Sequence, residues 1–197
     1  ISGGAFAGAP LESIVISQGV TEIGGSAFYG AYNLKTVTLP DSLVSLGSYA
    51  FLNCEKLEEV LLPDSVTDIG TFIFRGCIKL KNVKLPSSMT TIPDGLFDSC
   101  ASLESIELPS GITEIGQFAF NYCTSLKSIH LPKGVKTIKS YAFRNCASLT
   151  EIDASMATEI GAFAFQACSK LSKADIRSAG EIPAYLFSGC SLLTDLT

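Results

Sequence analysis

A period of 22 or 23 residues runs the length of the chain and limits what it can fold into. The stretch Gly116 to Pro132, GQFAFNYCTSLKSIHLP, recurs in near-copies from end to end. Its second phenylalanine marks the phase at Phe6, Phe28, Phe51, Phe74, Phe97, Phe120, Phe143, Phe165 and Phe187. Three residues later comes a small residue: Ala9 and Ala31, then Cys54, Cys77, Cys100, Cys123, Cys146, Cys168 and Cys190. A leucine follows, from Leu34 to Leu193, and after it two aliphatics spaced two apart, as in Val60/Leu62, Ile106/Leu108 and Ile129/Leu131. Five successive copies then carry Pro40, Pro63, Pro86, Pro109 and Pro132. A unit this short cannot bury its apolar face alone, whereas stacked units share one continuous core. The expected architecture is a solenoid of about nine coils.

The length of 197 residues would allow one domain or two, but the phase is never interrupted, which leaves one, over residues 1–197. Net charge is -5, and lysines and glutamates alternate instead of clustering. A phosphate-backbone partner needs a basic stripe, so nucleic acid is not expected as a partner. No apolar run reaches the roughly 18 residues a membrane span requires. No signal peptide is visible. The chain opens in mid-repeat, Ile1 aligning with Ile23, and closes in mid-repeat at Leu196. Neither end has a polar cap, so the expectation is a segment of a longer protein.

Each column has a physical assignment. Leu-x-x-Ile-x-Leu alternates as a strand with one buried face should. One strand per period, in identical context, implies parallel pairing into a sheet on the concave side. Proline donates no N–H and ends the strand. The segment Gly-x-x-Ala-Phe-x-x-Cys on the return path resembles a short helical or 3₁₀ turn, and the Val-x-x-Ile segment before it is expected to add a second, shorter extended strand on the side opposite the concave sheet. Its glycine column reads Gly24, Gly47, Gly70, Pro93, Gly116, Lys139, Gly161, Pro183. Proline fixes a negative φ, so glycine is expected there for tight approach, not for handedness. The single-column cysteines read as buried free thiols, with bridging between adjacent rungs as the alternative. A second aromatic column, Tyr49, Phe72, Phe118, Tyr141, Phe163 and Tyr185, reads as a half-buried convex surface, with an aromatic binding stripe as the alternative.

The motif L-x-x-I-x-L-P-x-x-V-x-x-I-G-x-x-A-F-x-x-C resembles the BspA-like, or Treponema-type, leucine-rich repeat proteins over essentially the whole chain. The resemblance implies a right-handed leucine-rich repeat solenoid with a concave parallel sheet. It also implies a bacterial surface or secreted setting and, in several members, adhesion to host proteins. At the usual asparagine-ladder position the chain has Ser42, Ser65, Ser88, Gly111 and Gly134, which fits this subclass. No functional residue carries over, because the motif residues are structural.

No catalytic constellation is found, and neither a cofactor nor a metal site is expected. The one histidine, His130, is placed outward on the sheet with Glu107 and Asp153 expected within cross-strand reach. The expected function is a non-enzymatic interaction module for a protein or glycan partner, including a host extracellular protein. The side chains chosen for contact are Thr36, Thr38, Glu59, Leu61, Asn82, Lys84, Ser105, Glu107, Ser128, His130, Glu151, Asp153, Lys173 and Asp175. The alternative is a spacer or stalk that presents another domain. Open coil faces at both ends also suggest end-to-end self-association.

Overall fold

The computed structural model describes all residues, Ile1–Thr197. The nine marker phenylalanines stack in one line of eight steps, so the chain makes about eight turns between them. Ring centroids lie 5.0–5.9 Å apart and the planes are nearly parallel. Phe28 through Phe165 are fully buried, each contributing roughly 1.5–3 kcal/mol. The Cys, Ala and Leu columns pack around them in a single core that runs the length of the stack.

The return path is not helical, contrary to the sequence expectation, and no residue of the chain is in a helix. Instead, alternate N–H groups do two different things. In one coil, Ala27, Tyr29 and Ala31 donate to the carbonyls three residues earlier, closing overlapping β-turns. Ser26, Phe28 and Gly30 donate outward, to Ser48, Ala50 and Leu52 of the next coil. Three such cross-coil bonds recur at every one of the eight steps. A helix would use these donors within its own segment and leave this side of adjacent coils without backbone bonds. The first and third of these turns have φ > 0 at their third residue, as type II turns require. The two positions flanking the marker by two residues supply it: Tyr49, Phe72, Phe118 and Tyr141 before it, with φ of 54–63°, and Gly8, Gly30, Asn53 and Gly76 after it, with φ of 59–74°.

An L-residue in this region costs about 1–2 kcal/mol relative to its preferred backbone, and glycine costs nothing sterically. Ala167 sits there at φ 59° with no side-chain role to offset the cost. Ala167→Gly is therefore expected to raise stability by about 0.5–1 kcal/mol, read as a higher urea midpoint.

Two strand rows run beside this turn ribbon, both parallel. The first contains Ser13–Val15, Thr36–Thr38, Glu59–Leu61 and Asn82–Lys84 in one sheet, then Glu151–Asp153, Lys173–Asp175 and Asp195–Leu196 in another. The register repeats the period, with Ile14 opposite Val37 and Ile152 opposite Ala174. The second row holds two-residue strands: Glu22–Ile23, Ser45–Leu46 and Asp68–Ile69, then Thr91–Ile92, Glu114–Ile115, Thr137–Ile138 and Glu159–Ile160.

The second row is the shorter strand expected from Val-x-x-Ile, but neither row is continuous as a strict repeat would make it. The second row breaks after Asp68–Ile69 and again after Glu159–Ile160, at the coils whose glycine column holds Pro93 and Pro183. At the closed steps that column donates its N–H to the coil before, as Gly47 does to Ile23 and Lys139 to Ile115. Proline has no such donor. The first row is open at three steps, from Asn82–Lys84 to Glu151–Asp153. There the inward residues Ile106, Ile129 and Leu131 match those of the closed coils, so the motif does not explain the opening. Every step keeps at least one strand ladder in addition to the turn ribbon.

The glycine column itself behaves as expected. Gly24, Gly47, Gly70, Gly116 and Gly161 are not at positive φ. A Cβ at Gly47 would lie 2.5 Å from the Gly25 nitrogen and 2.8 Å from the Gly24 carbonyl carbon, both backbone. Gly47→Val should destabilise by about 3 kcal/mol, the upper part of the overpacking range, measured by chemical denaturation.

Candidate functional site

The first strand row presents the outward side chains. Alternation places Val60, Ile106, Ile129 and Ile152 inward, and all four are buried. Thirteen of the fourteen contact candidates are exposed: Thr36, Thr38, Glu59, Leu61, Asn82, Lys84, Ser105, Glu107, Ser128, His130, Glu151, Asp153 and Lys173. Asp175 is half-buried, clasped by Arg177, whose Nε donates to Oδ1 at 3.0 Å while a terminal nitrogen reaches Oδ2. That guanidinium holds the Asp175 carboxyl below its ordinary range.

Because the row is interrupted, the candidates fall into groups. Thr36, Thr38, Glu59, Leu61, Asn82 and Lys84 ride on an intact sheet. Leu61 (53% exposed) shares its column with Val15 (74% exposed), which is not among the fourteen candidates although it heads the same outward column. Ser105, Glu107, Ser128 and His130 lie in first-row segments without strand pairing, a correction to their placement on a sheet. Glu151, Asp153, Lys173 and Asp175 return to a paired ladder.

The three residues expected to meet are divided between two recesses. His130 and Asp153 line a common recess of about 120 Å³. Glu107 instead lines a groove of about 490 Å³ with Leu61, Asn82 and Lys84. Asp153 is turned toward its own loop, accepting from the Ser155 N–H at 3.0 Å, and the bonds from Ser155 lower its carboxyl pKa. No three His, Cys, Asp or Glu side chains converge to hold a metal ion.

The turn side offers the second candidate surface. Phe118, Tyr141, Phe163 and Tyr185 stack with centroids 4.9 Å apart. Stacking covers the ring faces and leaves edges to solvent, so the column is not an open platform for a sugar ring. The Phe72 ring lies where a Cβ at Gly95 would fall, which ends the column there. One buried polar pair lies beside it: Asn121 Nδ2 donates to Asp98 Oδ1 at 2.9 Å, and Arg75 Nε sits 3.1 Å from Asp98 Oδ2.

The cysteines are free thiols, as the first of the two sequence readings had it. They do more than fill space. Each Sγ donates to the carbonyl of the marker phenylalanine one coil earlier, at 3.1–3.3 Å, as Cys54 does to Phe28 and Cys146 to Phe120. Burial pushes the Cys54 thiol up to about 12, and burial likewise raises Cys77, Cys100, Cys123 and Cys146.

A family model described as BspA type leucine rich repeat region matches residues 1–124 and 90–197. The chain belongs to the BspA-type leucine-rich repeat family. Solved structures agree. A leucine-rich repeat protein of Bacteroides ovatus is 29% identical, with TM-score 0.89, over 100% of this chain and 58% of that one. The T. pallidum leucine-rich repeat protein is 30% identical, with TM-score 0.77, over 90% of this chain and 87% of that one. A leucine rich cell surface protein of Faecalibacterium prausnitzii is 29% identical, with TM-score 0.60, over 94% of this chain and 59% of that one. This BspA-type chain thus spans under two thirds of the length of two of these relatives. Comparison with curated proteins gives no match. No helix here is long and apolar enough to cross a membrane.

Proposed function

We propose that the first strand row docks an extracellular protein or glycan at a bacterial surface, in the manner of an adhesin. One observation carries this reading. The inward columns keep nearly one residue type through the stack, whereas the outward column changes in every coil but the last: Val15, Thr38, Leu61, Lys84, Glu107, His130, Asp153, Asp175. A face that only had to stay soluble would not need an exposed valine and leucine beside threonine at one end and charges at the other. The cell-surface description of the F. prausnitzii relative supports the setting.

The test is a combined Lys84→Glu, Glu107→Lys and Asp153→Lys variant. All three side chains are exposed, so the melting temperature should hold within a few degrees while partner binding falls at least about tenfold. Unchanged binding to candidate host-matrix proteins and glycans would reject this face. Loss of function on deletion of whole coils, with no effect of any surface reversal, would favour the stalk.

A further inference from the structure

One exposed column is neither core nor part of the docking face proposed above. It lies at the entry to the first strand row and reads Glu12, Lys35, Glu58, Lys81, Glu104, Lys127, one residue per coil with the sign alternating at every step. All six are exposed. Backbone bonds hold most of the column in line: Lys35 N–H to Glu12, Glu58 to Lys35, Lys81 to Glu58, and Lys127 to Glu104. At the strand spacing of about 4.8 Å, the stripe is roughly 24 Å long.

The pairing within the stripe is uneven. Lys35 Nζ meets Glu12 at 2.9 Å and Lys127 Nζ meets Glu104 at 2.6 Å. These contacts hold both carboxyls below their ordinary range, Glu104 also feeling Lys81. Glu58 and Lys81, the two central members, make no ion pair within the chain.

We propose that a second copy of this chain docks along the stripe about a two-fold axis passing between Glu58 and Lys81. An alternating stripe with an even number of charges is self-complementary under such an axis. Glu12 then faces Lys127 of the second copy, Lys35 faces Glu104, and Glu58 faces Lys81, with the same three contacts repeated across the axis. The two charges left unpaired in the single chain fall nearest the axis and satisfy each other. Parallel docking in register would set like charges together. Parallel docking offset by one coil would make five contacts instead of six and would not close. The stripe is locally neutral, so it is also where two chains of net charge -5 meet with least repulsion.

Sedimentation equilibrium of the wild-type chain in 50 mM salt should show a reversible monomer–dimer equilibrium, weakened about tenfold or more in 0.5 M salt. A triple variant Lys35→Glu, Lys81→Glu, Lys127→Glu and its counterpart Glu12→Lys, Glu58→Lys, Glu104→Lys should each be monomeric, with thermal melts confirming that both are folded. Mixed one to one, they should form a heterodimer. A wild-type chain that stays monomeric at millimolar concentration in low salt would overturn the proposal. So would dimers of the all-acidic variant as tight as wild type, failure of the two variants to associate, or species that grow beyond the dimer. If a triple variant does not fold, the single Lys81→Glu change carries the test. It turns the two attractive central contacts repulsive and should weaken the dimer at least fivefold, and unchanged affinity would overturn the proposal.

Discussion

Raising the pH above about 9 should unfold this protein over a narrow range. The cause is the thiol ladder. Cys54 has its thiol raised from an ordinary 9.0 to about 12, and Cys77, Cys100, Cys123, Cys146 and Cys168 are raised in the same direction. For the first five the main cause is desolvation; Cys168 is raised by its contact with Cys190, whose own thiol is lowered by the same contact, so that pair does not add an independent thiol. A folded-state value above the unfolded one means that the unfolded chain releases protons the folded chain keeps. The associated stability is fully present below pH 9 and is lost as the pH climbs toward the folded value. Each thiol removes about 1.4 kcal/mol per pH unit in that window. Five in parallel, about 7 kcal/mol per pH unit, would exhaust a typical net stability of about 5–15 kcal/mol within one or two pH units. Urea midpoints from pH 7 to 11 would measure the slope. A Cys100→Ala, Cys123→Ala variant should be less stable than wild type at pH 7, having lost two thiol bonds to Phe74 and Phe97. Its slope should be shallower by about 2.8 kcal/mol per pH unit, so the two curves cross. An unaltered slope would assign alkaline unfolding to other groups.

Phe120→Ala is the second large effect, with an expected loss of about 3–5 kcal/mol. The ring is fully buried, 5.5 Å from Phe97 and 5.2 Å from Phe143, so truncation opens a cavity and ends two stacking contacts. The surrounding backbone is pinned by the ribbon bonds of Phe97 to Ala119 and Phe120 to Ala142 and cannot collapse into the space. Phe187→Ala removes the same side chain from a partly buried position at the last coil and should cost less than half as much. Equal losses at the two sites in guanidinium titrations would contradict a core built from one continuous stack.

The stack was legible in the sequence because its columns are chemically uniform. Phe, Cys and Leu repeat in register, and the parallel strands follow from one strand per period. The turn ribbon was misread. Its apolar spacing mimics a helical turn, since both bury Ala27 and Phe28 and expose Tyr29. The contrary signal was present two residues after the marker, where Gly8, Gly30, Asn53, Gly76, Asn145 and Gly189 form a mixture that favours φ > 0. The breaks in the second row were also legible, as missing donors at Pro93 and Pro183. The opening of the first row was not, because the residues on either side of it are alike. The outward direction of the contact candidates followed from alternation alone.

The ribbon has one more consequence, for how such a protein changes over generations. Its junctions are made by main-chain groups that every unit carries in the same place, together with the same ring and, from the third coil on, the same thiol. Copying or excising one whole unit recreates the junction that was there before, whatever its outward residues are. Length can therefore drift by duplication in whole coils, while the surface of each new coil is free to diverge.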